Sequence, residues 1–312
     1  MTISEHIKTF AGRKVKEFPP QTQVKDPGSI AWRITTDMDE QEVFLERLEE
    51  LTNQPWADQV SALVIGDWGT AYDSGPPMDS LVRSIAKLPS LEAFFLAELT
   101  FEECEISWIN HTDITPLLEA CPRLTTLTVR GAQGLSLKSV RHESLRSLTF
   151  QSGGLPADVV RSVGDCELPN LEHLELWLGT DNYGGDATAE DLAQILAGGR
   201  LPALKTLGLR DAEVADMVAV ALANAPIVAR LEGLDLSLGM LSDAGATALL
   251  TGQPLTHLRK LDLHHHYLSE PVMDRIRAEL IEAGVEVDLS DAGDPDEDGD
   301  EDDADGDHDI RQ

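Results

Sequence analysis

A run of three histidines, His264 to His266, is the first group in the sequence whose residue types could do chemistry. Imidazole is a common protein ligand of zinc, copper and nickel. A metal site would need further ligands from other segments, and Asp235 or Asp262 could supply one. Neighbouring residues on a strand point in opposite directions, so consecutive histidines do not converge by themselves. We interpret the run as a polar turn and predict no metal site and no cofactor, with metal binding as the alternative.

A second candidate motif lies in the acidic C-terminal segment. Asp294-x-Asp296-x-Asp298-Gly299 matches the start of an EF-hand calcium loop, and Asp305 stands at the twelfth position, where Glu is normal. The helices that flank an EF-hand are missing from the sequence pattern. A run this acidic predicts weak, non-specific attraction of Ca²⁺ rather than a true EF-hand.

Catalytic chemistry finds little support in the sequence. His173 and Glu175 could in principle exchange protons, but on an open sheet nothing excludes water or shifts a pKa. The P-loop, G-x-S-x-G and H-E-x-x-H motifs are absent, and no G-x-G-x-x-G follows a predicted strand. Cys104, Cys121 and Cys166 have no base placed beside them by sequence. We predict no catalytic residues and no enzymatic activity.

The charge balance narrows the range of partners. The 312 residues include 24 Lys and Arg against 56 Asp and Glu, a formal net charge of −32. Residues 291–312 hold twelve acids and one base, which is −11 and leaves −21 on residues 1–290. An acidic surface repels phosphate backbones and anionic lipids, so we predict neither a nucleic-acid nor a membrane partner. A protein partner with a basic surface fits this charge.

Cysteine usage and hydropathy indicate the compartment. The three cysteines are widely spaced and form no C-x-x-C pair, so we expect buried, reduced thiols. The segment Met1 to Pro20 lacks the continuous apolar stretch of a secretory signal, and no apolar run approaches 18 residues. These features predict a cytoplasmic protein.

One short pattern recurs along the chain: an apolar residue, two others, an apolar residue, one other, and a third apolar residue. Its best copy is Leu231-x-x-Leu234-x-Leu236. The spacing between copies averages about 28 residues, which is typical of solenoid repeats. Trp32-x-Ile34 could be a degenerate first copy. The middle apolar position of each copy falls at residues 63, 94, 127, 148, 174, 207, 234, 261 and 287.

This pattern resembles the leucine-rich-repeat family, and the spacing is most similar to the ribonuclease-inhibitor and RanGAP subtype. The segment 231–250 also carries that subtype's L-x-D-x-G-x-x-x-L helix entry, from Leu241 to Leu249. The family's buried Asn or Cys after the strand is missing, because these positions hold residues such as Trp68, Gly179 and His266. The resemblance implies an α/β solenoid of about nine repeats, a horseshoe with a parallel inner sheet and outer helices, which binds protein on its concave face.

The periodicity between the strands supports this architecture. Leu-x-Leu has period 2 and indicates a strand with one apolar face, whereas the intervening segments have helical spacing. The 21-residue step between Leu127 and Leu148 is too short for a full helix, so a turn or a short 3₁₀ segment is expected at 131–143. We divide the chain into an N-terminal cap or extension (1–29), the repeat domain (30–290) and a disordered acidic tail (291–312). Examples of the segments with helical spacing are residues 42–51, 81–88, 189–196, 214–222 and 273–281.

The repeat phase identifies residues that flank the core positions and so face the concave side. At the N-terminal end these residues are apolar, with Val64 and Phe95, and in the C-terminal half they are acidic around Trp177. An exposed Trp among charged residues has the composition of an interface hot spot. The alternative is that Trp177 packs under the following loop. The predicted partner-binding residues are His173, Glu175, Trp177, Arg210, Asp235, Asp262 and His264.

Three long connections with aromatic residues leave the same ends of the predicted strands, at 67–78, 98–113 and 178–188. Long loops on a rigid scaffold often carry function, although this architecture also tolerates neutral insertions. We predict that the chain is a non-catalytic protein-interaction scaffold. The alternatives are a RanGAP-like regulator of a nucleotide hydrolase and a metal- or Ca²⁺-responsive binding protein.

Overall fold

The computed structural model describes residues 3–21 and 24–293, and within them twelve strands form one sheet whose spatial order is the chain order. β1 is antiparallel to β2, and every later neighbour is parallel. This order follows from the repeat, since each connection returns the chain beside the strand it has just left. The strands are β1 (Thr9–Phe10), β2 (Arg13–Glu17), β3 (Ile30–Ile34), β4 (Ala62–Ile65), β5 (Ala93–Leu96), β6 (Thr126–Arg130), β7 (Ser147–Gln151), β8 (His173–Gly179), β9 (Thr206–Ala212), β10 (Gly233–Asp235), β11 (Lys260–Asp262) and β12 (Glu286–Asp288).

The middle apolar positions of the repeat form one continuous register row across the sheet. Leu63 pairs with Phe94, Phe94 with Leu127, and the row continues strand by strand to Val287 on β12. Trp32 pairs with Leu63, so the degenerate copy at Trp32-x-Ile34 is a strand of the same sheet. Side chains of this row from Trp32 to Leu261 are buried in the main core, which explains the period-2 pattern.

Helices cover one face of the sheet and pack on their neighbours, for example α6 on α7. They are α1 (Gln41–Thr52), α2 (Met78–Ile85), α3 (Thr115–Ala120), α4 (Ala157–Asp165), α5 (Ala193–Ala197), α6 (Ala215–Leu222), α7 (Asp243–Thr251) and α8 (Glu270–Ile276), which continues as a π-helix over Arg277–Ile281. The expected break at 131–143 is present, because no helix lies between β6 and β7. The sheet face opposite the helices is the concave face of this leucine-rich-repeat solenoid. Among the described residues, no helix is long and apolar enough to cross a membrane.

The helix entry at α7 shows why the repeat needs its small residue. The Ser242 hydroxyl accepts a hydrogen bond from the Ala244 amide, which caps the helix. A Cβ on Gly245 would lie only 2.3 Å from Asp216 Oδ1. The same carboxylate oxygen accepts the Ser242 and Gly245 amides at 2.9 and 3.1 Å. Adjacent repeats are therefore joined by a half-buried carboxylate that only Gly leaves room for.

The N-terminal segment covers the first part of the concave face. β2 extends the sheet beside β3, and Phe10 on β1 packs on Phe95 with ring centroids 5.6 Å apart. Val64 and Phe95 do lie on the concave side, but they are buried under this segment. These two apolar positions are therefore closed to a partner.

A buried ion pair holds the N-terminal segment in place. The Glu98 carboxylate pairs with Arg33 at 2.9 Å, and both side chains are almost completely buried. Glu98 Oε1 also accepts the amide of Ile7 at 3.0 Å. This network joins the segment before β1 to the end of β5. The EF-hand-like motif and the rest of the acidic tail after residue 293 lie outside the described residues.

Candidate functional site

The concave face of β8 to β11 brings the seven predicted partner-binding residues together. His173, Glu175 and Trp177 alternate along β8 with the core leucines. Arg210 lies beside Trp177 on β9. Asp235 and Asp262 are register partners on β10 and β11. His264, the seventh, follows two residues after Asp262. The phase of the repeat is enough to place these residues on one face.

Trp177 is not the exposed anchor that the sequence suggested, because only 4% of its surface is accessible. Its indole Nε1 donates to Glu175 Oε1 at 2.7 Å, and the Arg210 guanidinium lies 5.3 Å above its ring. The prediction of an exposed Trp is wrong, since these long neighbours on the same face cover the ring. Trp177 supports the surface from below, and the charged groups above it are what a partner would meet.

Arg210 connects the strands of this surface. Its Nη1 lies 3.4 Å from Glu175 Oε1, and its Nε lies 3.3 Å from Asp235 Oδ2 and 3.0 Å from Ser237 Oγ. Burial alone would raise the pKa of Glu175, but the contact with His173, whose Nε2 lies 3.6 Å from Glu175 Oε2, and the charge of Arg210 outweigh it and lower that pKa. Glu175 is therefore ionised at neutral pH, and Arg210 is shared between two carboxylates.

Carboxylates occupy one register row of the concave face. Asp235 pairs with Asp262, and Asp262 pairs with Asp288, on three adjacent parallel strands. Glu175 continues the row on β8, with Gly208 between it and Asp235. Like charges directly opposite on neighbouring strands repel each other. We call this row of four acids the carboxylate strip.

A lysine and a histidine contact one acid of the carboxylate strip. Lys260 Nζ contacts Asp262 Oδ2 at 2.8 Å, and His264 Nδ1 lies 2.6 Å from Asp262 Oδ1. Burial would raise the pKa of Asp262, but the hydrogen bonds from Lys260 and His264 lower it overall. Hydrogen bonds from Ser290 lower the pKa of Asp288. Both acids are ionised at neutral pH, so the C-terminal half of the concave face is anionic.

Two glycines create a depression beside the carboxylate strip. Gly208 on β9 and Gly233 on β10 occupy concave positions where a side chain would otherwise stand. The depression encloses about 190 Å³. Glycine at a concave repeat position is a sequence signal that could have identified it. Its walls are His173, Glu175, Thr206, Asp235, Lys260 and Asp262.

The histidine run separates in the structure. His264 faces the concave side beside Asp262, whereas His266 is fully buried and accepts the Leu268 amide at 3.1 Å. Ligand atoms of Asp262, His264 and Asp288 all lie within 4.8 Å of one another, the one such group among the described residues. One histidine and two carboxylates, rather than three histidines, are therefore the candidate metal ligands.

The three cysteines are held away from solvent. Cys104, Cys121 and Cys166 are all free and buried. Burial raises the pKa of Cys104 to about 11, with the nearby Asp67 carboxylate adding to the effect, and burial raises that of Cys121 to about 11. A thiol with such a pKa is almost fully protonated at neutral pH, and the reactive form is the thiolate.

No protein-family model matches the chain, and comparison with curated proteins finds no match. Among solved structures, an internalin from Listeria monocytogenes is 16% identical, with a TM-score of 0.37 over 84% of this chain and 92% of the internalin. TLR13, solved with an RNA, is 17% identical, with a TM-score of 0.34 over 83% of this chain and 38% of TLR13.

One solved structure is much more similar. A crystal structure of a Bacteroides fragilis protein superimposes with a TM-score of 0.74, at 31% sequence identity, over 84% of this chain and 74% of that protein. Identity at this level over three quarters of the other chain reflects a common fold and a common origin. The chain therefore belongs to the same family as this Bacteroides fragilis protein.

Proposed function

We propose that the chain is a non-catalytic scaffold that binds a protein partner through the C-terminal half of its concave face, and that the partner presents a basic surface there. The carboxylate strip is the observation that carries this proposal. Four acids share one register row, and positive groups of a partner would reduce the repulsion that remains between neighbouring carboxylates.

The dimensions of the face also support a protein partner. The concave surface from β6 to β12 spans six strand intervals, or about 29 Å at about 4.8 Å per interval. A standard interface buries about 800 Å² on each partner, which a face of this width can supply. The depression of about 190 Å³ beside the strip is smaller than typical metabolite sites. It can admit one side chain of a docked protein.

The absence of catalysis is part of the proposal. The titratable groups of the concave face are engaged with one another, and the face is open to water. The buried thiols also support a non-catalytic role.

We also propose a cytoplasmic location, since three unpaired cysteines stay reduced there, and cell fractionation would test it. We further propose that the repeats are of the ribonuclease-inhibitor and RanGAP subtype, which the helix entry at α7 supports. A regulator of a nucleotide hydrolase is the alternative function that goes with this subtype.

Partner capture with matched variants tests the binding surface. The concave variant is Asp235→Asn/Asp262→Asn/Asp288→Asn, in which Asn can still accept the backbone hydrogen bonds that these acids accept. The α1 control variant makes the same change in charge on exposed helix positions without ion pairs in the described structure. It is Glu46→Gln/Glu49→Gln/Glu50→Gln.

We expect a protein captured from native lysate by the parent chain and by the α1 control variant to be lost with the concave variant. The captured protein should bind less tightly as salt rises, because surface charge interactions are screened. Matching melting temperatures would show that all three proteins are folded. Equal capture by the concave variant would show that the partner binds elsewhere.

A metal-responsive role is the second candidate, favoured by the cluster of Asp262, His264 and Asp288. A mixed set of imidazole and carboxylates suits Zn²⁺ and related ions. An ion there would have to displace Lys260 from Asp262. We expect Zn²⁺ to raise the melting temperature of the parent chain but not of a His264→Gln variant. Equal shifts in both would place any binding elsewhere, and no shift at millimolar Zn²⁺ would reject the role.

A further inference from the structure

Three loops form a rim at one edge of the sheet. They are residues 67–78, 98–113 and 178–188, and they lie at the carboxyl ends of β4, β5 and β8. The carboxyl ends of parallel strands lie at the same edge, so the three loops share it. We call them the rim loops. They are separate from the carboxylate strip, which lies on the strands.

The rim loops expose large aromatic side chains. Tyr72, Phe101, Trp108 and Tyr183 are each between 47% and 54% exposed. Within the described residues, every aromatic among the exposed large hydrophobic side chains lies on these loops. Aromatic side chains are usually well buried in monomeric proteins, and exposed groups of them mark binding surfaces.

Contacts between neighbouring segments hold two of the rings in position. Asn110 donates from its amide nitrogen Nδ2 to the Tyr72 carbonyl at 2.6 Å and from its backbone to the Ala71 carbonyl at 2.8 Å. These bonds tie two rim loops together and set the Tyr72 and Trp108 rings 6.1 Å apart. A surface ordered in advance loses little conformational entropy on binding.

The third rim loop is tied to the same edge through residues 153–155. Thr180 donates its amide to the Gly153 carbonyl at 2.8 Å. Gly153 also touches both neighbouring loops: a Cβ built on it would lie 2.3 Å from Ser107 Oγ and 3.6 Å from Tyr183 Cδ2. Tyr183 and Ser107, the residue before Trp108, therefore both approach Gly153.

The charge of the rim loops indicates what they bind. Residues 67–78 contain two acids, residues 98–113 contain five and residues 178–188 contain two, and none of the three segments contains Lys or Arg. Several of these acids form no ion pair with any described residue: Asp73, Glu102, Glu105, Asp181 and Asp186. Each exposed ring has one of them within three residues in sequence, and Glu105 accepts the Trp108 indole at 3.1 Å.

We propose that the rim loops bind a cationic segment of a partner protein, in which Arg and Lys side chains stack on the exposed rings and pair with the adjacent carboxylates. Ring faces attract cations, and Arg in particular stacks on aromatic side chains. Two rims of this chain do not fit each other, because both are acidic. This inference goes beyond the proposed function, since it concerns a different surface.

A ¹⁹F NMR titration of the full chain labelled with 5-fluorotryptophan tests the proposal. The probe is an acetylated, amidated hepta-arginine peptide, and Trp108→Phe and Trp177→Phe variants assign the rim and the concave resonances. The matched control peptide has citrulline in place of every arginine, which keeps the planar group and removes the charge. The rim variant is Asp73→Asn/Glu102→Gln/Asp181→Asn, compared with the α1 control variant.

We expect hepta-arginine to shift the Trp108 resonance and the citrulline peptide to leave it unchanged. The rim variant should bind about fivefold to tenfold more weakly, whereas the α1 control variant should stay within about twofold of the parent chain. Equal weakening of both variants would show non-specific attraction to an acidic protein and overturn the proposal. An unshifted Trp108 or equal binding of the citrulline peptide would also overturn it.

The concave variant separates this inference from the proposed function. The Trp108 shift should persist in that variant, because the carboxylate strip is not part of the rim. Loss of the shift there would overturn the assignment of a separate surface. If the concave variant still captured the partner, the proposed binding surface would be wrong, but the Trp108 result would be unaffected.

Discussion

Replacing Glu98 with Gln should loosen the N-terminal segment from the concave face. The substitution keeps the size of the side chain and an acceptor for the Ile7 amide, which lies 3.0 Å from Oε1. It removes the charge that faces Arg33 at 2.9 Å, where the two side chains are 0% and 3% exposed. Arg33 then retains Glu103, whose carboxylate is 3.5 Å away and 33% exposed.

Glu98→Gln should lower the free energy of unfolding, because it leaves the buried Arg33 guanidinium poorly paired. Removing one partner of a buried ion pair typically costs about 3–5 kcal/mol. Glu103 and the Gln carbonyl compensate in part, so we expect Glu98→Gln to lower the free energy of unfolding by about 2–3 kcal/mol. That is a large share of the roughly 5–15 kcal/mol that stabilises an ordinary domain.

Equilibrium urea unfolding followed by circular dichroism would measure this cost, with Arg33→Met completing a double-mutant cycle. We expect a coupling energy of at least about 1.5 kcal/mol. The control is Glu232→Gln, since Glu232 pairs with Arg259 at 3.2 Å with both side chains exposed. It should change stability by less than about 1 kcal/mol.

Hydrogen exchange would report the same event locally. We expect faster exchange of amides in residues 3–10 in the Glu98→Gln variant, because the Ile7 amide is held by that carboxylate. A cost no larger than that of the surface control, or a coupling energy near zero, would refute the reasoning. Unchanged exchange in residues 3–10 would show that Phe10 and its neighbours hold the segment without the ion pair.

Three further outcomes test other parts of the structure. Burial lowers the pKa of His111 to about 4 from its ordinary value near 6.5, so stability should be lost as the pH falls from 6.5 towards 4. His111→Gln should flatten that pH dependence by up to about 3 kcal/mol, measured as the difference from the parent chain in urea unfolding at several pH values. Gly179 has a φ of +68°, and a Cβ on it would lie 1.9 Å from the Gly153 carbonyl oxygen. Gly184 also has a positive φ, +90°, but a Cβ there would meet open space. Gly179→Ala should therefore lower the melting temperature much more than Gly184→Ala. Trp177→Phe should cost about 1–2 kcal/mol in urea unfolding, because the indole loses its 2.7 Å hydrogen bond to Glu175, and a cost below about 0.5 kcal/mol would contradict the buried arrangement.

Much of the fold could be predicted from local pattern. The Leu-x-Leu period placed the core row from Leu63 to Val287 correctly on consecutive strands, because alternation in a strand is a property of neighbouring residues. The break between β6 and β7 followed from the spacing alone, since 21 residues cannot hold a strand, a helix and two turns. Helix ends were less accurate: the helix expected from Ala189 begins at Ala193.

The repeat phase also placed the candidate site on one face. Asp235, Asp262 and Asp288 share a register row because each follows its core leucine or valine by one residue. The sequence could not show which of the concave residues are exposed. Exposure of Trp177 depends on whether Arg210, 33 residues later, extends across its ring or into solvent.

The sequence alone was sufficient for the solenoid, the sheet face of each repeat residue and the acidic character of the C-terminal half, because these depend on short periods and on composition. Tertiary structure decided which part of that face is open. The N-terminal segment closes the region around Val64 and Phe95 through Phe10 and the Glu98–Arg33 pair. These contacts join residues far apart in the chain, so their formation depends on how the completed sheet packs and not on the local pattern of either segment.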